Sequence, residues 1–218
     1  MSTTLSEAES RRLVSEHGVA VSRFVTGETT EAILDALEAD ESVTYPVAAK
    51  LCGRQIAHKS ERGLLRLQIN DPQSLRTACD ELLAAAEPSD GAVELLVSSM
   101  VEGSRELICG LHKDPQFGLT VMLGIGGVLA EAVRDVAFRL APITEADAEE
   151  MTDDLKSQRL LGEFRGEPAL RRQDLTDVLM ALCSLGAAHP EVLSVDLNPL
   201  IIADGRPVAV DALVEVAQ

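Results

Sequence analysis

Near its C-terminus the sequence places Leu200-Ile201-Ile202 before Asp204-Gly205 and Val208-Ala209-Val210 after it. Asp-Gly between two apolar runs is a strong hairpin signal, because a two-residue turn that matches the strands' twist needs positive φ at both central positions. The turn also sets the register. Ala203 pairs with Arg206, and counting outward puts Asn198 opposite Asp211, with Asp196 two residues back on the same face. Such a polar cluster among valines and leucines needs a partner for its charge. A hard cation such as Mg²⁺, sharing its oxygen ligands with a nucleotide, would supply one. Hydrogen-bonded polar residues at a strand end are the plainer reading of the same spacing.

Composition narrows the field further. With 218 residues, 46% of them apolar, the chain can bury a core without metal or disulfide staples. Its 36 acidic against 19 basic residues, a net charge of −17, would repel a phosphate backbone, so nucleic acid is excluded as the main partner. No apolar run approaches the roughly 18 to 20 residues that span a bilayer, and the polar, acidic start MSTTLSEAES is unlike a secretory signal. A soluble cytoplasmic protein with no membrane partner is expected. Cys52, Cys79, Cys109 and Cys183 show no CxxC spacing and read as buried, reduced thiols.

Ser6 and Glu9 form a capping box at the head of a helix over 6–17, which Gly18 stops. Further helices are predicted over 30–40, 71–87, 144–155 (with a second box from Thr144 and Asp147) and 174–188, where Leu175, Val178, Leu179, Leu182 and Leu185 recur at helical spacing. Strands are predicted over 46–51, 64–69, 93–97, 106–111, 120–123 and 136–140, and two more finish the chain. This mixed order argues for α/β or α+β layers. The break at Pro88-Ser89-Asp90-Gly91 suggests a small lobe over about 19–92 and a large lobe over 93–218 that also takes the helix 6–17.

Other constellations carry possible chemistry. Gly124-Ile125-Gly126-Gly127 follows a strand, so its amides are candidates to cradle phosphate, although many Gly-rich turns are only turns. Glu131 and Asp135, with Arg134 and Arg139, read as a site wall or as a solvated charged edge. His17 and His189 end helices and His112 ends a strand. His58 differs: it lies in the polar loop Ala57-His58-Lys59-Ser60-Glu61-Arg62-Gly63, where a neutral imidazole with cations beside it is a competent phosphoryl acceptor. Lys50, near the end of an apolar strand, is either a snorkelling terminus or a phosphate ligand.

SEAESRRLVSEHGV, YPVAAK, HKS, KDPQFGLTVMLGIGGVLAEAVRDVAFRLAPIT, RGEP and DLNPLIIADGRPVAVDA, in that order, together resemble the β subunit, or equivalent domain, of the NDP-forming acyl-CoA synthetases. The resemblance implies an ATP-grasp fold, two lobes with nucleotide bound between them. It implies the reversible reaction acyl-CoA + ADP + phosphate to acid + CoA + ATP, through a phosphohistidine. ATP/ADP and Mg²⁺ are the implied cofactors, and a separate CoA-binding α chain the implied partner. Lys50, Glu106, the loop glycines Gly124, Gly126 and Gly127, and the adenine hinge Ser98-Ser99-Met100 would then contact nucleotide. Glu131 would close the phosphate motif, Asn198 and Asp211 would hold Mg²⁺, and His58 would shuttle phosphoryl. Two segments depart from the family pattern: HKS is followed by Glu61-Arg62-Gly63-Leu64 instead of an acidic, an apolar and two glycine residues, and the hinge has Ser98-Ser99 where a Gln and a charged residue are usual. A non-catalytic ATP-grasp partner of an α chain and a ligase for another carboxylate are the rival readings. The first predicts a complex without turnover, the second activity that does not depend on CoA.

Overall fold

The computed structural model of the chain describes residues 2–56, 62–127 and 134–217. The chain forms two compact units, one made of Met1–Thr3, Ser10–Val21 and Val101–Gln218, the other of Thr4–Glu9 and Ser22–Met100. It opens with strand β1 (Ser2–Thr4) and helix α1 (Glu7–Glu16). The expected capping box is formed at α1: the Ser6 amide donates to Glu9 Oε2 at 2.8 Å and the Glu9 amide to Ser6 Oγ at 3.3 Å.

The smaller unit contains β2 (Phe24–Gly27), α2 (Thr30–Ala39), β3 (Val47–Cys52), β4 (Leu65–Ile69), α3 (Pro72–Ala84) and β5 (Glu94–Ser99). Its four strands form an antiparallel sheet in the order β2-β5-β3-β4. Val47, Ala49 and Leu51 alternate onto one face of β3 and join Leu95 and Val97 of β5, Ile33 of α2 and Leu75 and Leu82 of α3 in the core. The Asp71 carboxylate caps α3 through the Ser74 amide, and Pro72 occupies the first turn, where no amide is needed. That helix stops at Ala84, short of the expected 87, and a 3₁₀ turn over Pro88–Asp90 follows. Strand β2 was not signalled: four residues are too few to show a period. The unit ends at Met100 because β5 is paired with both β2 and β3. One expectation is corrected in β4. Alternation there implies a buried Leu67, but Gln68 has φ +57°, the register against β3 shifts, and Leu67 is 55% exposed.

The larger unit holds β6 (Glu106–Asp114), β7 (Gly118–Ile125), β8 (Val136–Leu140), α4 (Glu145–Asp154), α5 (Arg172–Ala188), β9 (Val192–Ala203), β10 (Arg206–Ala209) and β11 (Leu213–Ala217). Its seven-stranded sheet runs β1-β11-β9-β6-β7-β8, with β10 also on β9. Three strands, not two, therefore finish the chain. The long β9 pairs with β6 on one side and with β10 and then β11 on the other. Leu175, Val178, Leu179, Leu182 and Leu185 of α5 are all buried, and Gly186 lies against Leu111 and Leu119 of the sheet. The opposite sheet face, bearing Ile108, Met122 and Phe138, lines a concave surface. Among the described residues, the four cysteines are buried and free, and no helix is long and apolar enough to cross a membrane.

Candidate functional site

The C-terminal turn forms as its sequence dictates. Asp204 and Gly205 have φ of +48° and +78°, and Ala203 is the partner of Arg206. The register ends at Ala209 opposite Leu200 and, after residues 210–212 outside the strands, resumes with the same offset as Leu213 opposite Asp196; on that count Asn198 corresponds to Asp211. Asp211 Oδ1 accepts the amide of Ala212 at 2.9 Å. Desolvation by its surroundings, and secondarily the charge of Asp211, push the Asp196 carboxyl above the usual carboxylate range, although the residue keeps an exposed surface. Asp196 is paired with Gly110 on β6. Asp196 and Asn198 line the concave surface of about 620 Å³, together with Ile108, Met122 and Phe138. Asp196 and Asn198 thus offer oxygen donors over an apolar floor, with the Asp211 carboxylate near enough for Asp196 to feel its charge. No group of three or more His, Cys, Asp or Glu is gathered for a metal among the described residues. The set fits Mg²⁺, which commonly takes one or two carboxylates and completes its shell with phosphate and water.

Gly124 lies in β7, and the loop after it is drawn onto Glu106 at the head of β6. The amide of Gly126 donates to the Glu106 carbonyl at 2.7 Å, and a Cβ at Gly126 would sit 3.0 Å from Glu106 Cβ, so only glycine allows this approach. Gly127 has φ +86° and its missing Cβ would point towards Glu106 Oε2. Glu106, Gly126 and Gly127 are thus brought together. The Ile125 amide is likewise engaged, by the Asp135 carbonyl at 3.0 Å, so two of the loop's amides already serve protein carbonyls. The buried Asp135 carboxylate accepts the amides of Lys156 and Ser157, and Arg139 pairs with Asp154, which makes both structural. Glu131 and His58 lie outside the described residues.

In the smaller unit, Lys50 is on the face of β3 away from the main core and is 6% exposed. Its Nζ lies 2.7 Å from Glu7 Oε1, with side chains 8% and 1% exposed, and Cys52 Sγ is 3.7 Å from Glu7 Oε2. Lys50 and Cys52 are two apart in the strand and so share that face. Ser98, opposite Ala48, shares it too and is buried. Ser99 and Met100 are held by their own backbone surroundings: the Ser99 amide donates to Arg23, its Oγ accepts from the Thr44 amide, and the Met100 amide donates to Pro46 at 2.9 Å. Glu7 was missed by sequence reasoning. It is 43 residues from Lys50, and in sequence it reads only as a first-turn acid that suits the helix dipole. His17 and His189 end α1 and α5, as read from sequence; their rings meet edge to face at 5.3 Å.

The sheet of the smaller unit bears a buried lysine and that of the larger unit bears Asp196 and Asn198, both within a mixed α/β architecture. A family model described as "ATP-grasp domain" matches residues 1–216. The β subunit of an ADP-forming acetate–CoA ligase I from Pyrococcus furiosus is 32% identical over 211 residues, 95% of this chain and 90% of that one. An ADP-forming acetate–CoA ligase I from Archaeoglobus fulgidus is 35% identical over 207 residues, where this chain spans 30% of the relative's length. A solved structure of the dinucleotide-forming acetyl-coenzyme A synthetase 1 of Ca. Korarchaeum cryptofilum, in complex with coenzyme A and Ca-AMPCP, is 32% identical and has a TM-score of 0.88 over 99% of this chain and 94% of that one. In another structure of that enzyme, with Mg-AMPPCP, the phosphohistidine segment points towards the nucleotide-binding site. The chain belongs to the ATP-grasp family, in the branch of the ADP-forming acetate–CoA ligases.

Proposed function

We propose that this chain is the nucleotide-binding β subunit of an ADP-forming acyl-CoA synthetase, which makes ATP from ADP with phosphoryl delivered by a separate CoA-binding chain. The similarity to a P. furiosus β subunit over 90% of that subunit's length is the observation that supports this reading most. The arrangement of Asn198 opposite Asp211, beside Asp196, supports it independently as the place for Mg²⁺. When bound there, Mg²⁺ would offset the negative charge that the nucleotide brings to these carboxylates. Asn198 and Asp211 hold and orient; Lys50 and Glu106 contact the nucleotide, with Gly126 the loop position nearest Glu106. His58 carries the phosphoryl group: its N–P bond breaks as a bond forms from a β-phosphate oxygen of ADP to phosphorus, and the imidazole leaves neutral. The chain's part is positioning and charge neutralisation, the usual division of labour in phosphoryl transfer.

Calorimetry with ADP, ATP and GTP, with and without Mg²⁺, tests the site. Metal-dependent binding of ADP or ATP that Asp211→Ala abolishes is the expected result. A second reading is favoured by the hinge, where the Ser99 and Met100 amides are both engaged within the protein: a non-catalytic partner that stabilises a CoA-binding chain. Absence of binding at millimolar nucleotide would select it.

A further inference from the structure

The buried carboxylate of Glu7 has no place in the reading above, yet it touches the lysine on which that reading depends. We infer that Glu7 is the positioning residue for Lys50, holding its ammonium where a nucleoside diphosphate's phosphates will meet it; the inference rests on the nucleotide reading of Lys50. An ammonium in a strand buried on both faces needs a counter-charge, since an unpaired buried ion is costly. Lysine also has a long, flexible stem, and a ligand that must order it loses affinity. Glu7 answers both needs. At 1% exposure its carboxylate is itself buried, 2.7 Å from Lys50 Nζ. It is held from three directions: the first turn of α1 is closed by the Ser6–Glu9 box, Glu9 is bound by Arg54 Nε at 3.1 Å, and Cys52 Sγ approaches the second Glu7 oxygen at 3.7 Å. Ser6 Oγ reaches Glu94 on β5 at 3.2 Å, so the turn carrying Glu7 is tied to the same sheet as Lys50. A lysine that is only a structural cross-link would show equal coupling to stability and none to nucleotide, which is what the test separates.

The full-length chain is titrated with MgADP by calorimetry as wild type, Glu7→Gln, Glu7→Asp, Lys50→Met and the Glu7→Gln/Lys50→Met double variant, with melting temperatures measured in parallel. Lys50→Met is expected to weaken binding most. Glu7→Gln, which keeps the shape and loses the charge, should weaken it about tenfold, the size of one charge-assisted hydrogen bond. Glu7→Asp should restore most of that loss, and the double variant should bind no worse than Lys50→Met, because Glu7 acts only through Lys50. Additive losses, unchanged binding in Glu7→Gln, or tighter binding there as from a competitor removed, would each overturn the inference while leaving the nucleotide reading intact. If Lys50→Met itself binds MgADP like wild type, the reading of Lys50 fails first and the inference with it. Should Glu7→Gln melt below the assay temperature, the titrations are repeated at a lower temperature at which it is folded, where binding equal to wild type refutes the inference.

Discussion

The two units treat neighbouring charges in opposite ways. In the smaller one, Lys50 and Glu7 are opposite charges 2.7 Å apart, both nearly sealed from water. In the larger one, Asp196 and Asp211 are like charges close enough that the second raises the affinity of the first for a proton. The first arrangement satisfies a cation from within the chain. The second is one that a divalent cation improves and that its absence leaves under repulsion. Burial raises the stakes in the first; Asp196 is exposed and Asp211 half-buried, so solvent screens part of their repulsion.

The contrast is most open to attack at Lys50. Removing one member of a buried pair strands the other, at a typical cost of about 3 kcal/mol or more. Lys50→Met should lower the free energy of unfolding in urea by that amount, and a loss below about 1 kcal/mol would break the comparison. The opposite sign is expected at Asp196. Asp196→Asn removes an exposed but partly desolvated charge that lies near another of its own kind. Without divalent cations it should raise the melting temperature, though by only about 1 °C, because solvent screens an exposed pair. The stabilisation that wild type gains from Mg²⁺ should shrink in the same variant. A drop in melting temperature without Mg²⁺ would mean that the Asp196 charge is already compensated.

An intermediate case sharpens the trend. Arg62 grips Asp90 through two hydrogen bonds of 2.6 and 3.0 Å, with side chains 28% and 3% exposed. The Arg62 guanidinium first, and then the Glu87 amide, hold the Asp90 carboxyl below its ordinary 3.8. A carboxylate whose folded pKa is depressed adds stability above its unfolded pKa and loses it as pH falls through the folded value. Asp90→Asn should therefore melt below wild type at pH 7, and the gap should close below about pH 4. A gap independent of pH would assign the effect to packing.

How legible this was differs between the two regions for a physical reason. The Asn198–Asp211 relation is local: a two-residue turn with positive φ at Asp204 and Gly205 propagates its register along β9 without further information. Glu106 and the glycine loop were likewise placed by motif, and β6 with β7 brings them together. Glu7 and Lys50 are joined only through tertiary structure, and no period or spacing encodes a pair 43 residues apart. Short elements fared worst. β1 and β2 were missed, and in β4 a single positive φ at Gln68 turned an alternating pattern into an exposed Leu67. What a chain writes locally can be read from it, and what it writes by packing cannot.

The smallest effect serves as the control for all the others. Arg172 Nη1 lies 2.6 Å from Asp153 Oδ1, a shorter distance than that between Lys50 and Glu7, but the two side chains are 48% and 65% exposed. If distance governed, Arg172→Ala would cost as much as Lys50→Met. Exposed pairs are screened by solvent and salt, and ordering two long side chains opposes the modest Coulomb gain, so the loss should stay within about 0.5 kcal/mol and fade further at high salt. Urea unfolding at low and high ionic strength measures both. A loss near that of Lys50→Met would show that geometry and not burial sets the scale, and the contrast between the two units would then lose its physical basis.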